Sequence, residues 1–335
     1  MAGKVVYMNG KHKQPKTLQE AITFYANPDN CLDYMVNIRW PEGVACPTCG
    51  RTDVVFLANQ RKWQCKSVHA KRQFSAKVGT IFEDSPISLE KWLVAVWMLS
   101  NCRNGVSSYE IGRTIGVTQK SAWFMMHRVR LAMQRGSFMK MGGNGGEIEV
   151  DETFIGGKAR NMHKATRARR IPFPGKKDDK TIAFGILERG KEIRTMVIKD
   201  RTLDTVLPLI REHVQSGTSV YTDDMSGYRG MSLTDEFFHG VVDHANKYVD
   251  GRIHTNGLEN FWSLLKRGIS GTYVAVEPFH LFRYLDEQSF RYNNRGTKKN
   301  PTSEHKRFDL AMSGIVGKRL TYAGLTGKVG ETTIF

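Results

Sequence analysis

The spacing of apolar residues divides the chain into a helical first part and a mixed second part. Residues 17–27 have the apolar spacing of a short amphipathic helix, with Thr17 as its N-cap and Pro28 beyond its end. Residues 85–134 repeat the helical spacing with few breaks, and the longest apolar run of the chain, residues 92–99, lies among them. The first part of the chain is therefore predicted to be largely helical.

Strand patterns begin after residues 141–146, whose glycine-rich composition is that of a linker. Residues 147–151 alternate apolar and polar positions, and residues 180–200 contain two stretches rich in β-branched residues that are joined at a polar turn. A helical pattern, two further short strands and two helical patterns follow as far as residue 294. Strands and helices in this order predict an α/β domain with a mixed sheet.

Three of the five cysteines lie close together in the sequence. Cys46 and Cys49 form a C-x-x-C pair, and Cys65 and His69 form a second pair after fifteen intervening residues. Two tight ligand pairs at this spacing are typical of a zinc ribbon or knuckle with one structural Zn²⁺. The alternative is a set of buried cysteines with a surface histidine. An odd number of cysteines, clustered in this way, argues against a disulfide framework and favours a reducing cytosol.

Residues 106–133 have the pattern of a short helix, a glycine turn and a longer basic helix. Ser107 or Ser108 can cap the first helix, Gly116 makes the turn, and Thr118 caps the second helix. This is the layout of a helix-turn-helix, whose second helix enters the major groove of DNA; an ordinary helical hairpin is the alternative. The residues predicted to face DNA are Thr118, Gln119, Lys120 and Ser121 at the leading end of the helix, with Arg128 and Arg130 nearer the phosphates.

The chain has 50 Lys and Arg against 33 Asp and Glu, which gives a formal net charge of +17 at pH 7. The excess is concentrated in residues 61–77 and in residues 158–180, which include Lys176 and Lys177. Basic clusters with few aromatic residues favour duplex DNA over a single strand, and residues 158–180 are a candidate backbone contact. The N-terminus lacks the apolar core of a signal peptide, and no apolar run is long enough to span a bilayer. We therefore expect a cytoplasmic DNA-binding protein without a membrane segment.

Carboxylates end two of the predicted strands and begin a later helix. Asp151 ends one strand, Asp223 or its neighbour Asp224 ends another, and Glu259 lies near the start of the helix. Three carboxylates from two strands and a helix would suit a pair of hard cations, two Mg²⁺ or Mn²⁺ about 4 Å apart. Such a pair activates the attacking oxygen and stabilises the leaving oxygen in phosphoryl transfer. Taken singly, each acid would be read as a solvated end of a strand or helix.

The spacing of these acids resembles the DDE signature of transposases and retroviral integrases. Asp223 and Glu259 are separated by 35 residues, and Lys266 follows Glu259 after seven, which is about two helical turns. Several motifs over residues 18–295 are similar to those of one group of bacterial insertion-sequence transposases: CPTCG, GVTQKSAWFMMHR, VDETFIGG, HTNGLENFWSLLKRGISGTY and RYNNR. The resemblance implies a ribonuclease H-like catalytic domain, with Lys266 as a DNA contact and with a catalytic triad of Asp151, Asp223 and Glu259.

Two positions depart from the pattern of that group. The second ligand pair of the ribbon is Cys65-x3-His69, where C-x-x-C is common, so His69 is the ligand that the pattern supports least. After the motif GTY the chain has Val274, where members of the group often have a histidine. His254 or His280 would be the replacements for that polar side chain.

The patterns and the resemblance together predict a multidomain protein of six consecutive segments. They are an N-terminal helical segment (1–39), a zinc ribbon (40–83), a helix-turn-helix domain (84–140), a linker (141–146), a ribonuclease H-like DDE catalytic domain with a mixed sheet (147–295) and a weakly determined C-terminal tail (296–335).

The predicted function is that of a transposase that binds the terminal inverted repeats of its own insertion sequence. It would hydrolyse the element ends and join the freed 3′-OH ends to target DNA. Because two ends must be held together, a homodimer or larger assembly is expected on DNA, associated with the nucleoid. One alternative is a transcription regulator built from the zinc ribbon and helix-turn-helix, which leaves the carboxylate spacing unexplained. The other is a ribonuclease H-like nuclease without strand transfer.

Overall fold

The computed structural model describes residues 14–134, 139–143, 145–157, 163–170, 180–223, 236–242, 252–297 and 299–328. The chain divides into two compact units. The first unit combines Met1–Arg135 with Gly296–Phe335, and the second is Gly136–Arg295. The chain therefore leaves the first unit, builds the second and returns to the first, in agreement with the multidomain layout that the sequence predicts.

The helices, in chain order, are α1 (Leu18–Tyr25), α2 (Pro28–Arg39), α3 (Leu89–Asn101), α4 (Ser108–Ile115), α5 (Gln119–Met133), α6 (Lys164–Arg170), α7 (Leu203–His213), α8 (Asn256–Gly268), α9 (Leu281–Asn293), α10 (Glu304–Met312) and α11 (Tyr322–Leu325). The strands are β1 (Val54–Leu57), β2 (Lys62–Cys65), β3 (Gln73–Phe74), β4 (Glu147–Ile155), β5 (Thr181–Glu188), β6 (Ile193–Ile198), β7 (Ser219–Asp223) and β8 (Phe238–Val242). The first unit contains α1–α5, α10, α11 and β1–β3, and the second contains the other elements.

Polar capping residues fix the starts of the two helices of the predicted helix-turn-helix. Ser107, rather than Ser108, is the N-cap of α4 and forms a capping box with Glu110. Gly116 ends α4 in the left-handed conformation, at φ 64°, which glycine adopts without a side-chain penalty. Thr118 then caps α5 by accepting a hydrogen bond from a backbone N–H of its first turn. The predicted short helix, glycine turn and longer helix are all present.

The predicted N-terminal helix is present as α1, with Thr17 as its N-cap. Pro28, however, does more than follow that helix. It is the first residue of α2, where the missing proline N–H has no helical partner to lose. Pro28 is therefore tolerated because it lies in the first turn of α2.

The C-terminal segment is part of the first unit, which corrects the prediction of a weakly determined tail. Phe308 on α10 is fully buried and packs against the rings of Tyr25, Tyr34 and Trp97. The indole Nε1 of Trp97 donates to Glu304 at 3.3 Å. The residues that bury α10 come from α1, α2 and α3, which are distant in sequence, so local apolar periodicity gave little sign of this packing.

The second unit is built on a mixed sheet whose described strands have the order β6-β5-β4-β7-β8. β4 is antiparallel to β5 and parallel to β7. One face packs against α7 through a core that includes Ile148, Val150 and Ile210. The opposite face packs against α8 and α9 through Leu258, Trp262 and other apolar residues. Odd-numbered residues of β4 therefore lie on the face that α8 covers, because side chains alternate along a strand.

The glycine-rich segment predicted as a linker is an ordered part of the second unit at the residues described. Met141 is buried and forms a parallel bridge with Val214 of the segment after α7. Gly142 has a φ of 87°, and an added Cβ there would lie 2.5 Å from the Oγ1 of Thr218. Glycine is required at this position because both the backbone conformation and the close approach exclude a side chain.

The basic segment 158–180 contains a short helix, α6, that the sequence patterns did not predict. Lys176 and Lys177, the predicted DNA-backbone contacts of this segment, lie outside the described residues. Within the described ranges, no helix has both the length and the apolar composition that crossing a membrane requires.

Candidate metal and active sites

The four predicted zinc ligands come together in the first unit. The ligand atoms of Cys46, Cys49, Cys65 and His69 all lie within 4.8 Å of one another. The Sγ of Cys46 is 3.5 Å from the Nε2 of His69, and the Sγ atoms of Cys49 and Cys65 are 3.6 Å apart. Three thiol groups and one imidazole in a closed group are a donor set for tetrahedral Zn²⁺. The residues therefore fit one structural zinc ion.

His69 is oriented toward the three sulfurs by its second ring nitrogen. Its Nδ1 lies 2.6 Å from the carbonyl oxygen of Ala70, so the Nε2 is left for the metal. Burial opposes ionisation of the Cys65 thiol, but hydrogen bonds from His69 and from the backbone N–H of Ser67 outweigh it and lower the pKa of Cys65 to about 6. A thiol that ionises readily is ready to bind a metal cation. These contacts support His69 as a zinc ligand, which was the assignment that the sequence pattern supported least.

The first ligand pair lies in a tight turn before β1, and the second lies at the end of β2 and in the connection to β3. Strands β1 and β2 pair antiparallel, and β2 pairs with β3. Gly50 follows the first pair with a φ of 74°, and its N–H donates to the carbonyl of Cys46 at 2.8 Å. This is the tight turn that the glycine after C-x-x-C predicts.

The leading end of α5 is accessible, but three of its four predicted DNA contacts have side-chain hydrogen bonds within the unit. The Oγ of Ser121 lies 2.9 Å from the Oγ1 of Thr118, the cap of the helix. Gln119 donates from its Nε2 to Ser108 at 2.8 Å, which ties α5 to α4. Lys120 is exposed, and its ammonium lies 5.2 Å from the ring centroid of Tyr322. Lys120 and Thr118 are thus the most exposed of the four.

Arg128 corrects the prediction of a phosphate contact. Its side chain is only 5% exposed. The guanidinium donates to the backbone carbonyls of Glu83 and Leu320 and stacks on the ring of Phe124. Arg130 is fully buried as well. From Met125 to Met133 every residue of α5 is buried, so only its first turns are free to approach a ligand.

Asp151 and Asp223 lie on adjacent parallel strands and on the same face of the sheet. The ladder pairs Glu149 of β4 with Tyr221 of β7, and continuing this register by two residues places Asp151 beside Asp223. The face is the one that α8 covers. Asp224 lies outside the described residues, so the structure describes only the first of the two adjacent acids, Asp223, which is the last residue of β7.

Both oxygens of the Asp151 carboxylate have partners. The backbone N–H of Glu152 donates to Oδ1 at 2.8 Å, and the indole N–H of Trp262 donates to Oδ2 at 3.0 Å. Burial raises the pKa of Asp151 to about 7, with the nearby carboxylates of Glu152 and Asp223 adding to the effect. A carboxylate whose ionisation is opposed by burial and by like charges is one that a cation would stabilise.

Glu259 lies in the first turn of α8 and is exposed. Its neighbour Leu258 packs on the sheet, and Lys266 is exposed in the last turn of the helix. The structure therefore brings Asp151 and Asp223 together and places Glu259 on the helix that covers them. Among the described residues, only the zinc ligands form a group of converging metal-binding atoms; the carboxylates of Asp151, Asp223 and Glu259 do not converge to that extent.

Val274 lies at an unusual backbone conformation after α8. Its φ is 62° and its ψ −54°, and the N–H of Ala275 donates across it to the carbonyl of Tyr273 at 2.7 Å. This is a strained γ-turn for a β-branched residue, and the side chain is exposed. Of the two histidines considered as replacements at this position, His254 contacts Arg189 and Glu149, whereas His280 precedes α9.

The sequence patterns missed three residues that contact the candidate site or its helix. Glu149 is 1% exposed on the face of β4 that α8 covers, Arg189 pairs with it, and Trp262 donates to Asp151. One signal was present in the sequence. Glu149 and Asp151 are acids at alternate positions of a strand, which puts two charges on one face that the following helix has to cover.

Comparison with known proteins identifies relatives of both parts of the chain. Residues 144–293 match the family model of the ISXO2-like transposase domain, and residues 26–70 match that of the transposase zinc-ribbon domain. An uncharacterized protein in the transposable element ISH50 of Halobacterium salinarum is 28% identical over 274 residues, which cover 79% of this chain and 90% of that protein. An uncharacterized transposase-like protein of Haemophilus influenzae is 31% identical over 107 residues, 32% of this chain and 85% of that protein.

The two matched domains follow the division of the chain. The zinc-ribbon match contains Cys46, Cys49, Cys65 and His69, and the transposase-domain match contains β4–β8 and the helix of Glu259. The resemblance that the sequence motifs suggested is thereby confirmed. The chain belongs to the transposase family that combines a zinc ribbon with an ISXO2-like transposase domain.

Proposed function

We propose that the protein is a DDE transposase that cuts the ends of its own insertion sequence and joins them to target DNA. In this proposal, the second unit is a ribonuclease H-like catalytic domain with Asp151, Asp223 and Glu259 as its triad. The first unit recognises the terminal inverted repeats. A DNA substrate with two ends implies a homodimer or larger assembly at the nucleoid.

The observation that carries the proposal is the in-register placement of Asp151 beside Asp223. The two carboxylates come from parallel strands of one sheet, on the face that the Glu259 helix covers. Burial and mutual repulsion make two such carboxylates costly unless they bind a cation. Oxygen ligands of this kind fit Mg²⁺ or Mn²⁺, and two such ions would activate the attacking oxygen and stabilise the leaving oxygen at phosphorus.

The side chains of the second unit would divide the work at the scissile phosphate. Asp151 and Asp223 would hold the metals, with Asp151 oriented by the two donors that contact it. Glu259 would complete the ligand set from α8. Lys266, exposed two turns further along the same helix, would contact the DNA backbone. Hydrolysis and strand transfer are both in-line displacements at phosphorus, so one set of ligands can serve both.

In the first unit, α4 and α5 would act as a helix-turn-helix on the repeat, with Zn²⁺ holding the ribbon beside them in sequence. Thr118 and Lys120 are the accessible residues at the leading end of α5. Gln119 and Ser121 would join them by exchanging their intramolecular partners for base edges or phosphates. Lys176 and Lys177 stay candidates for contacts with the DNA backbone.

The experiment is an end-cleavage and joining assay with purified protein, Mg²⁺, a labelled element end and a plasmid target. Asp151→Asn, Asp223→Asn and Glu259→Gln should each abolish cleavage and joining while end binding is kept. Asp204→Asn is the matched control, because Asp204 is an exposed acid of the same unit, in the first turn of α7. It should retain full activity.

The same assay separates the alternatives. Specific end binding without Mg²⁺-dependent cleavage by the unmodified protein would favour a transcription regulator. Cleavage without products joined to the plasmid would favour a nuclease. An active Glu259→Gln variant would show that the triad is assigned wrongly.

A further inference from the structure

Two carboxylates of β4 each accept a hydrogen bond from an N–H group of α8. Glu149 accepts from the backbone N–H of Leu258 at 3.0 Å, and Asp151 accepts from the indole N–H of Trp262 at 3.0 Å. The acids are two residues apart on one face of the strand, and the donors come from residues about one turn apart on the helix. The two contacts together fix the register of the helix along the strand.

Two glycines allow the helix to approach this closely. Gly185 of β5 is paired with Asp151, and a Cβ on it would lie 2.8 Å from the ring of Trp262. A Cβ on Gly257 would lie 2.4 Å from Leu187 and 2.7 Å from the Oε2 of Glu149. All three distances are shorter than a Cβ tolerates, so glycine at these two positions permits this fit between helix and sheet.

Arg189 contacts both Glu149 and the segment that leads into α8. Its Nε donates to the Oε1 of Glu149 at 2.8 Å. Its two terminal nitrogens donate to the backbone carbonyls of Arg252 and His254, each at 2.7 Å, in the segment that leads into α8. The planar, fork-shaped guanidinium can bridge the strand and this segment, which a lysine ammonium cannot do in the same geometry.

Stability alone does not account for a buried ion pair at this place. The surrounding face is apolar, and apolar residues of similar size would pack there at less desolvation cost. Directional hydrogen bonds, in contrast, specify one register of the helix on the strand. That register decides where Glu259, next to Leu258, lies relative to Asp151.

We propose that Glu149, Arg189 and Trp262 are positioning residues that set the register of α8 on β4 and thereby place Glu259 in line with Asp151. The inference rests on the proposed function of this site. None of the three residues has to touch DNA. Their effect is on the geometry of the carboxylates that would hold the metal.

The test compares Trp262→Phe and Glu149→Gln with two matched controls. Trp92→Phe removes a buried indole that donates to Ser85 in the first unit, and Glu188→Gln removes a buried acid of β5 that pairs with Lys191. Each protein is titrated with Mn²⁺ by calorimetry, without DNA. Thermal unfolding and the Mg²⁺ dependence of end cleavage are measured on the same preparations.

The positioning role predicts a roughly 10- to 100-fold loss of Mn²⁺ affinity in Trp262→Phe and in Glu149→Gln, with a matching increase in the Mg²⁺ needed for half-maximal cleavage. The controls should change the unfolding temperature without changing either metal dependence. If both site variants lower only the unfolding temperature, as the controls do, the positioning role is wrong. If the unmodified protein shows no Mg²⁺-dependent cleavage, the proposed function fails instead, and the two results are distinguishable.

Discussion

At the scale of single residues, the placement of Asp151 has a measurable consequence for stability. Its pKa is raised to about 7 by burial and by the carboxylates of Glu152 and Asp223. A carboxyl group with a raised pKa binds its proton more tightly in the folded state than in the unfolded state. Its contribution to stability is therefore present at low pH and is lost as pH rises through the folded pKa.

We expect Asp151→Asn to become progressively more stable than the unmodified protein between about pH 4 and about pH 8 in Mg²⁺-free buffer. The difference in free energy of unfolding between the two proteins should change by at most about 4 kcal/mol over this range, because the pKa shift is roughly three pH units. The lost acceptor of the asparagine adds a constant at every pH. Denaturant unfolding across this range measures the difference. A difference that does not vary with pH would mean that Asp151 titrates like a surface acid.

The zinc ligands make a second prediction at this scale. Cys49→Ser should abolish the single bound zinc ion and destabilise the first unit, because a small ribbon depends on its metal for folding energy. Cys102→Ser is the control, since Cys102 lies outside the cluster. Metal analysis and thermal unfolding test both proteins. Full zinc content in Cys49→Ser would remove Cys49 from the ligand set.

At the scale of elements, strand β4 and helix α5 show that the burial of a residue depends on the segments that pack against it. The strand pattern predicted that one face is apolar, and Ile148 and Val150 form that face. The other face carries Glu149 and Asp151 and is also covered, by α8. Helix α5 shows the converse. Its basic residue Arg128 suggested a surface, but two neighbouring segments and Phe124 of the same helix bury it.

The accessible end of α5 gives a prediction about DNA. Gln119→Ala and Lys120→Ala should each weaken binding to the element end by roughly tenfold, and binding to random duplex by less, if this end reads bases. Lys176→Ala and Lys177→Ala should weaken both and flatten the salt dependence. Arg128→Met should lower stability and leave the salt dependence unchanged. Binding titrations at several salt concentrations measure these effects, and equal losses on both DNAs for Gln119 and Lys120 would indicate backbone contacts only.

At the scale of the whole molecule, the return of the chain to the first unit is the main organising feature. The core of that unit is closed by residues more than 200 positions apart, as in the bond from Trp97 to Glu304. The C-terminal segment also contacts α5 directly. Lys318 donates to the carbonyl of Gln134 at 2.6 Å, and Tyr322 packs on Phe124.

Phe308→Ala should therefore destabilise the first unit by about 3 to 5 kcal/mol, because it leaves a cavity among buried aromatic rings. Binding of the element end should weaken at temperatures where this unit unfolds. Phe279→Ala, at a half-exposed position in the second unit, is the control and should have a small effect. Scanning calorimetry and end binding are the measurements. An unchanged first transition in Phe308→Ala would contradict the role of α10 in this core.

Features that depend on near neighbours in the chain could be predicted from the amino-acid sequence. Helix starts at Thr17 and Thr118 follow from side-chain caps, and the zinc ligands follow from two tight turns. The family followed from motifs, each of them a short contiguous run. Spacing and resemblance also indicated Asp223 as the acid at the end of its strand, although the sequence alone did not exclude its neighbour Asp224.

Features that depend on burial and on hydrogen-bond register became evident in the three-dimensional fold. The parallel pairing of β4 with β7 places Asp151 beside Asp223, the packing of α8 brings Trp262 to Asp151, and residues 296–328 complete the core of the first unit. The physical reason is that capping and turn preferences act within a few residues, whereas burial and hydrogen-bond register arise between segments far apart in sequence. An acid on a strand looks the same in a sequence whether water or a tryptophan covers it.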